Sequence, residues 1–516
     1  MAMSECNERR KVDAAITEVT KEHPVLRLDG ESNLYGQVNS EILKFDEWVN
    51  TTRRGLLAFA IRDQPPNFDG LSAFDAQAHG RVSTRSTFDA LAAVWRPSGC
   101  DTDEYLSHVV NHERPGDVSG QDHEARGFAA LRFRGYSLPA SPIDVQVSRA
   151  GVRGQFHAFA SAIGTQNDDH TSLLAPVGIE SSWCTMADAQ AGCVCLVDDL
   201  TATTLAQWLS RDGGDGPRAV YVPLVNSLTG QVLTRRRAYG LARVVLRHNH
   251  KYPHQPVFVF ADDSAIDTCH SEVVESDIQP IGAVTGADIG EPTWGRMSDW
   301  TLSVISPHLA LPTSPIAFAI THNKWLRQSM ECWNNSLGYA STCALDELIA
   351  AAAFCLVPKH WFDEINDHTA DNLHKLRAAV LDFNTAEFGF DGLAVSDQAA
   401  GGWHTALYFS PRLFPHPVEQ SFDAFRTLLN YHCPVSGSKR VALLPGEVLS
   451  WSHDPQAIEP WLTIRVNLSA PTEDFEDFVW QLGVATASLW RKSWTAAQSL
   501  KGSGQDRDAT SCHTPG

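Results

Sequence analysis

Short apolar runs rich in β-branched and aromatic residues recur along the middle of the chain, at PIDVQVSRA (142–150), RAVYVPLV (218–225), PVFVFADD (256–263) and TLSVIS (301–306). Each reads as a strand. Between them the apolar spacing becomes helical. After Thr234, a plausible N-cap, residues Ala238, Leu241, Ala242, Val245 and Leu246 fall at i, i+3, i+4, i+7 and i+8, a stripe suited to packing on a sheet. With a strand on either side, the stretch from Arg218 to Asp263 predicts a strand–helix–strand crossover, and repeated alternation of this kind predicts an α/β domain with a mainly parallel sheet. From about residue 340 the pattern shifts to long helical segments followed by short strands such as WLTIRVNLS (461–469), which predicts a smaller α+β domain. Residues 1–50 are polar and charged, ending in helical spacing over 41–50, and read as an arm packed on the body. The closing segment KGSGQDRDATSCHTPG (501–516) has no apolar anchor and reads as a disordered tail.

A chain of 516 residues, 43% hydrophobic and 20% charged, has room for two domains with substantial cores. Its formal net charge of −20 argues against nucleic acid and against an anionic membrane surface, both of which require clustered Lys and Arg. The 11 cysteines are scattered, with no pair of C-x-x-C motifs, as expected for reduced thiols. No apolar run approaches the roughly 20 residues of a membrane span, and MAMSECNERRKVD lacks the apolar core of a signal peptide. These features give a cytoplasmic expectation. His248, His250 and His254 lie at a helix end and loop without a recognisable metal-ligand spacing. Arg235, Arg236 and Arg237 read as a solvated helix face, although three cations at a helix start oppose its dipole.

Several segments carry a resemblance, in order and in spacing. They are LLAFAIRDQPPNFDGLSAFDA (56–76), SRAGVRGQFHAFASAI (148–163), VPLVNSLTGQVLTRRRAYGLARVVLRHNH (222–250), PVFVFADD (256–263), SVISPHLALP (303–312), AAGGWHTALYF (399–409) and EPWLTIRVNLSAP (459–471). Together, over about residues 55–485, they resemble the landmarks of fold type I pyridoxal phosphate (PLP) enzymes, the class I/II aminotransferases and their aminocyclopropane-carboxylate-synthase-like branch. The resemblance implies a fold type I PLP-transferase architecture, with a large domain over about 130–335 and a small domain formed by residues 50–130 and 340–500.

It also implies roles for individual residues. Gly151, Arg153 and Gly154 match the loop and helix start that hold the cofactor phosphate, where free backbone N–H groups and the helix dipole favour an anion. Thr229 and Gly230 keep the end of the N-P-x-N-P-T-G motif, and Asn226 lies one residue out of register with the asparagine that meets the cofactor 3-oxygen. Asp262 matches the carboxylate that pairs with the pyridine nitrogen, at the carboxyl end of a strand where open α/β sheets bind ligands. Arg465 matches the arginine that clamps a substrate α-carboxylate through its planar fork. Apart from the resemblance, Asp262 also reads as a turn aspartate and Arg465 as an arginine on the wetter face of its strand.

One landmark departs from the pattern. The family reads roughly S-x-S-K followed by G-x-R-x-G, the lysine forming a Schiff base with PLP and the arginine meeting its phosphate. Here Ser306 is followed by Pro307 at the lysine position, and Pro315 and Ala317 replace the arginine and last glycine. No lysine occurs between Lys251 and Lys324, so a change of register restores nothing. His308 is adjacent, and imidazole is a competent base near neutral pH. The expectation is therefore a divergent aminotransferase-like protein that takes an α-amino acid or its PLP adduct, with non-covalent PLP and His308 as base, and for which ordinary transamination is disfavoured. The alternative is a non-catalytic partner subunit or ligand-binding scaffold of the same fold. By resemblance the chain forms a homodimer, or a heterodimer with a lysine-bearing homologue.

Overall fold

A computed structural model describes residues 123–164, 172–211, 216–307, 316–340, 359–414 and 461–505, with short interruptions inside these ranges, together with strand segments at 25–28, 70–72 and within 440–446. His308, Pro315, most of the N-terminal arm and the closing residues 506–516 lie outside the described residues.

The strands, in chain order, are β1 (Val25–Leu28), β2 (Gly70–Ser72), β3 (Val145–Ser148), β4 (Ser172–Pro176), β5 (Cys193–Val197), β6 (Arg218–Pro223), β7 (Val257–Asp262), β8 (Thr301–Ile305) and β9 (Ala317–Ile320), followed by β10 (Leu393–Val395), β11 (His404–Phe409), β12 (Arg440–Ala442), β13 (Leu444–Pro445) and β14 (Leu462–Asn467). One sheet of eight strands runs in the order β1, β5, β4, β6, β7, β8, β9, β3. Its middle five strands, β5 to β8 in that order, are mutually parallel, and β9 runs antiparallel to both β8 and β3. β1 adds an antiparallel edge beside β5.

The helices are α1 (His123–Gly135), α2 (Gly151–Gly164), α3 (Ala202–Leu209), α4 (Arg235–Lys251), α5 (Lys324–Ser336), α6 (Lys359–Asp382) and α7 (Thr472–Gln505). The parallel strands are apolar on both faces because helices cover both. On β6 and β7, Tyr221, Phe258 and Phe260 pack with Phe156 and Phe159 of α2 and with Leu326 and Met330 of α5. The alternate residues Val220, Val222, Val257, Val259 and Ala261 pack against the α4 stripe of Ala238, Leu241, Ala242, Val245 and Leu246, together with Leu205 and Trp208 of α3. The α4 stripe is the one expected from spacing, and Thr234 caps it by accepting from the Arg237 amide. Arg237, at the start of that helix, is held by the Asp199 carboxylate, which offsets the unfavourable dipole. α1 packs through Ala129, Ala130 and Phe133 on Val145, Val147, Phe318 and Ile320, and so belongs to the core of the large sheet.

A second, antiparallel sheet has the order β10, β11, β14, β13. Leu407, Phe409, Ile464 and Val466 face Leu373, Leu376 and Val380 of α6 and Phe475, Phe478 and Leu482 of α7. α6 continues into a π-helical turn at Phe383–Phe388 that ends at Gly389. β2 and β12 form a separate parallel pair.

The two sheets meet at residues 399–402. The carbonyl of Gly230, in the turn after β6, accepts from the amides of Ala400 and Gly401 at 2.9 and 3.0 Å. From the other side, the Gly402 amide donates to Thr268 and the His270 amide to Ala400. Gly230 has φ +70°, and a Cβ there would lie 2.8 Å from the His404 carbonyl and 2.9 Å from that of Gly401. Only glycine permits so close an approach.

Candidate active site

The carboxyl ends of β4, β6 and β7 place a set of polar groups on the α2 side of the large sheet. Strand pleating sends adjacent aspartates to opposite faces. Asp262, closing β7, lies on the same side as Tyr221, whose hydroxyl donates to Asp262 Oδ2 at 3.3 Å. The Ser264 amide donates to Oδ1 at 3.2 Å. Burial, and then the Asp262 charge, push the Tyr221 hydroxyl well above its ordinary range, so it stays a donor. Asp263 faces the other way and is 1% exposed, with Oδ2 lacking a partner among the described residues. Burial and the neighbouring Asp262 raise its carboxyl to about 8.

The loop after β4 forms one wall. Gly178 has φ +105°, and a Cβ there would lie 2.3 Å from Asn226 Oδ1. Asn226 is buried and its amide is committed to the turn. Nδ2 donates to the Val177 carbonyl at 2.5 Å, and Oδ1 accepts from the amides of Leu228 and Thr229, each at 2.9 Å. Ser227 donates its hydroxyl to the Gly178 carbonyl. Beyond Gly178, Glu180 is exposed and accepts from the Ser182 hydroxyl at 3.2 Å, while Trp183 stacks on Phe156 with ring centroids 5.3 Å apart.

The start of α2 forms another side. Gly151 has φ +64° and opens the helix. The Ala150 amide donates to Ser148 Oγ at 3.2 Å, whereas the amides of Gly151, Val152 and Arg153 meet no acceptor among the described residues. Gly154 is packed closely, since a Cβ there would lie 2.7 Å from Ser148 Oγ and 3.3 Å from the Tyr339 ring. Arg153 is exposed, and its charge adds to burial in lowering the pKa of His157.

Arg465 comes from the other sheet. On β14 it lies opposite Ala406 of β11 and Leu444 of β13. Burial pulls its guanidinium down to about 10, and the negative charge of Glu180 pulls the other way, so it is a cation at neutral pH that senses the β4 loop. Its Nε is buried and has no hydrogen-bond partner among the described residues.

The remaining expected residues fall differently. Ser306 is buried and its hydroxyl is spent on the Ile316 carbonyl at 2.9 Å, and Pro307 beside it is buried. Lys324 is exposed at the first turn of α5, and Lys251 is exposed at the end of α4. Tyr221, Glu180 and Trp183 were not singled out in the sequence. Tyr221 was visible only as an aromatic inside a strand, and Glu180 as one acidic residue in a loop without a motif.

No known sequence family matches the chain, and no curated protein matches its sequence. Solved structures do match. N-succinyldiaminopimelate aminotransferase from Mycobacterium tuberculosis superposes with a TM-score of 0.58 at 15% identity, over 87% of this chain and 97% of that one. Aspartate aminotransferase from Thermus thermophilus, solved with maleate, gives 0.56 at 15% identity, over 86% and 96%. Aromatic aminotransferase from Pyrococcus horikoshii gives 0.56 at 17%, over 81% and 95%. The architecture is therefore that of the fold type I aminotransferases, an α/β fold with a mainly parallel large sheet and a small antiparallel one. Among the described residues, no helix is long and apolar enough to cross a membrane.

Proposed function

We propose that the cleft between the two sheets binds an α-amino acid, with PLP, when present, held non-covalently, and that the chain does not carry out ordinary transamination. The observation that carries this reading is Arg465, a half-buried cation on the small sheet whose buried Nε meets no partner among the described residues and on which the charge of Glu180, in the loop after β4, acts. A planar guanidinium in that position suits a carboxylate.

The donor set fits a non-covalently held PLP and does not fit a covalently held one. The free amides of Gly151, Val152 and Arg153 suit a phosphate, with the Arg153 side chain adding charge and Gly154 allowing close packing of the helix start. Asp262, aligned by Tyr221, suits a protonated ring nitrogen. Asn226 and Ser306 support the surrounding backbone, since the Asn226 amide holds its own turn and the Ser306 hydroxyl holds Ile316. Pro307 offers no amine where the family has its lysine, and Lys251 and Lys324 are exposed on the outer ends of helices. Bound PLP would supply an electron sink for bonds at the α-carbon of an amino acid. Within this reading Arg465 orients the ligand carboxylate, the Tyr221 hydroxyl keeps its proton and directs Asp262, and His308 is the proposed base. The proposed assembly is a homodimer, or a heterodimer with a lysine-bearing homologue.

Incubation with PLP, borohydride reduction and peptide mapping test the cofactor reading, alongside a spectral titration with amino acids. The expected result is a saturable spectral change without a phosphopyridoxyl-lysine. A labelled lysine in the cleft would overturn non-covalent binding, and no response to any amino acid would overturn the ligand class.

A further inference from the structure

β3 closes one end of the large sheet, and the direction of its backbone groups follows from its neighbours. The Asp263 amide donates to the Val304 carbonyl, so Val304 faces β7 while Ser303 and Ile305 face β9. Their register partners Ile320 and Phe318 therefore turn to β8, and Ala319 and Ala317 turn to β3, where they meet Gln146 and Ser148. Val145 and Val147 are left facing the free edge. Residues in the same phase bear this out, since the Val145 amide donates to the Pro142 carbonyl and the Arg149 amide to the Tyr339 carbonyl. Val147, between them, is 5% exposed, and its edge N–H and C=O meet no partner among the described residues. Buried backbone groups are rarely left so.

A cavity of about 580 Å³ lies along this edge, bounded by Asp144–Val147 on one side and by Arg327, Glu331 and Asn334 of α5 on the other, with Arg126 of α1. The side chains of Val145 and Val147 pack in the α1 core, so a cavity touching four consecutive residues runs beside the backbone of the strand. Two more acceptors belong to its walls. Gln146 Nε2 donates to the Arg327 carbonyl at 2.7 Å, which fixes Oε1 as the remaining atom, buried and without a partner among the described residues. Asn334 is 2% exposed; its Nδ2 donates to Gln155 Oε1 at 3.3 Å, and its Oδ1 is likewise left without a partner.

We infer that the groove between β3 and α5 binds a short, uncharged peptide segment, which adds to β3 as an extended strand and presents an Asn or Gln side chain to α5. Strand addition to a sheet edge supplies what the groove lacks. One peptide residue accepts from the Val147 amide and donates to its carbonyl, and a further peptide N–H serves the carbonyl of Val145. With the Val145 and Arg149 amides already bonded, the pairing spans only a few residues. On the α5 side, a side-chain amide brings two N–H donors for Gln146 Oε1 and Asn334 Oδ1. Asp144 is paired with Arg327, and Arg126 and Glu331 carry opposite charges, so the lining favours a neutral segment. The site lies at the outer edge of the sheet and is independent of the amino-acid reading of the cleft.

Selection of random displayed peptides on the full chain, then calorimetry with the enriched sequences as end-blocked synthetic peptides, tests the inference. The enriched sequences are expected to share an Asn or Gln, and binding should slow exchange of the Val147 amide by about tenfold or more. Methylating the backbone nitrogen that faces β3 should weaken binding by about tenfold or more, while methylating its immediate neighbours, which turn away, should cost little. Asn334→Leu should also weaken binding, and the methylation series reports on the wild-type protein if that variant fails to fold. Absence of any peptide that binds, or binding that leaves the Val147 amide unchanged or ignores the alternation, would overturn the inference. Protection of Val147 without peptide that is lost on dilution would assign the edge to a second copy of the chain and overturn it equally.

Discussion

The Tyr221 hydroxyl donates to Asp262 Oδ2 at 3.3 Å, across neighbouring parallel strands in which Pro223 is the direct register partner of Asp262. The two residues come from segments 41 positions apart, joined by α4. Their meeting is a product of the crossover. A hydrogen bond to a charged group contributes about 1.5–3 kcal/mol, so Tyr221→Phe should weaken PLP binding by about tenfold or more with little change in fold. Asp262→Asn should weaken it further, because the carboxylate itself is lost. Spectral titration of the two variants checks the order; equal affinities in wild type and Tyr221→Phe would remove Tyr221 from the site.

Much of the scaffold was legible in the chain. Periodicity located α4 and the buried stripe on it, and short β-branched runs located β6, β7 and β8, because burial between two helix layers forces those patterns. The glycine pair at 401–402 was legible by resemblance, and it lies where the small sheet joins the large one. The side-chain chemistry was less legible. Asn226 and Ser306 are of suitable residue type, yet their polar atoms are bonded to backbone, and a sequence does not record which partner satisfies a side chain. Tyr221 and Glu180 gain their significance only from strands brought together at long range.

Asp263 gives a stability prediction with a definite sign. Its carboxyl ionises near 3.8 in the unfolded chain and near 8 in the fold, because burial and the adjacent Asp262 oppose the charge while Ser303 partly offsets them. Between those values the unfolded chain has lost this proton and the folded protein has kept it. The contribution of Asp263 to stability therefore falls as pH rises from about 4 to about 8 and levels off above. Asp263→Asn removes that slope, and the variant should gain on the wild type by more than about 1 kcal/mol between pH 4 and pH 8. Urea unfolding across that range is the measurement. Parallel stability curves would show that Asp263 does not retain its proton on folding.

Gly230 should be among the least replaceable residues of the junction. Its positive φ strains any side chain, and an added Cβ meets two carbonyl oxygens under 3.0 Å, one on the segment before β11 and one on the first residue of that strand. Gly230→Ala is expected to destabilise the protein by about 2 kcal/mol or more. It should also weaken amino-acid binding beyond any change in folded fraction, because the segment it displaces leads to the sheet that carries Arg465. Unfolding and titration of the same preparation separate the two effects. A variant with wild-type stability would contradict the packing.

Arg465 offers the clearest separation of function from stability. Its guanidinium is desolvated enough to fall to about 10, its Nε has no partner among the described residues, and the charge that acts on it comes from exposed Glu180. Arg465 is half-buried with its Nε shielded from water, and a desolvated charge without full hydrogen bonding is held at a cost to the fold, so replacing it with an apolar side chain of similar length is commonly neutral or stabilising. Arg465→Met should therefore lose amino-acid binding while keeping or raising its melting temperature. Arg465→Lys should restore the charge without the binding, since an ammonium lacks the planar fork that meets a carboxylate with two bonds. A residue serving only the fold would behave in the opposite way: Arg465→Met would melt several degrees lower and Arg465→Lys would bind as the wild type does. Thermal melts and calorimetry on the two variants decide between these outcomes, because a drop in affinity without a drop in stability is the signature of a ligand clamp.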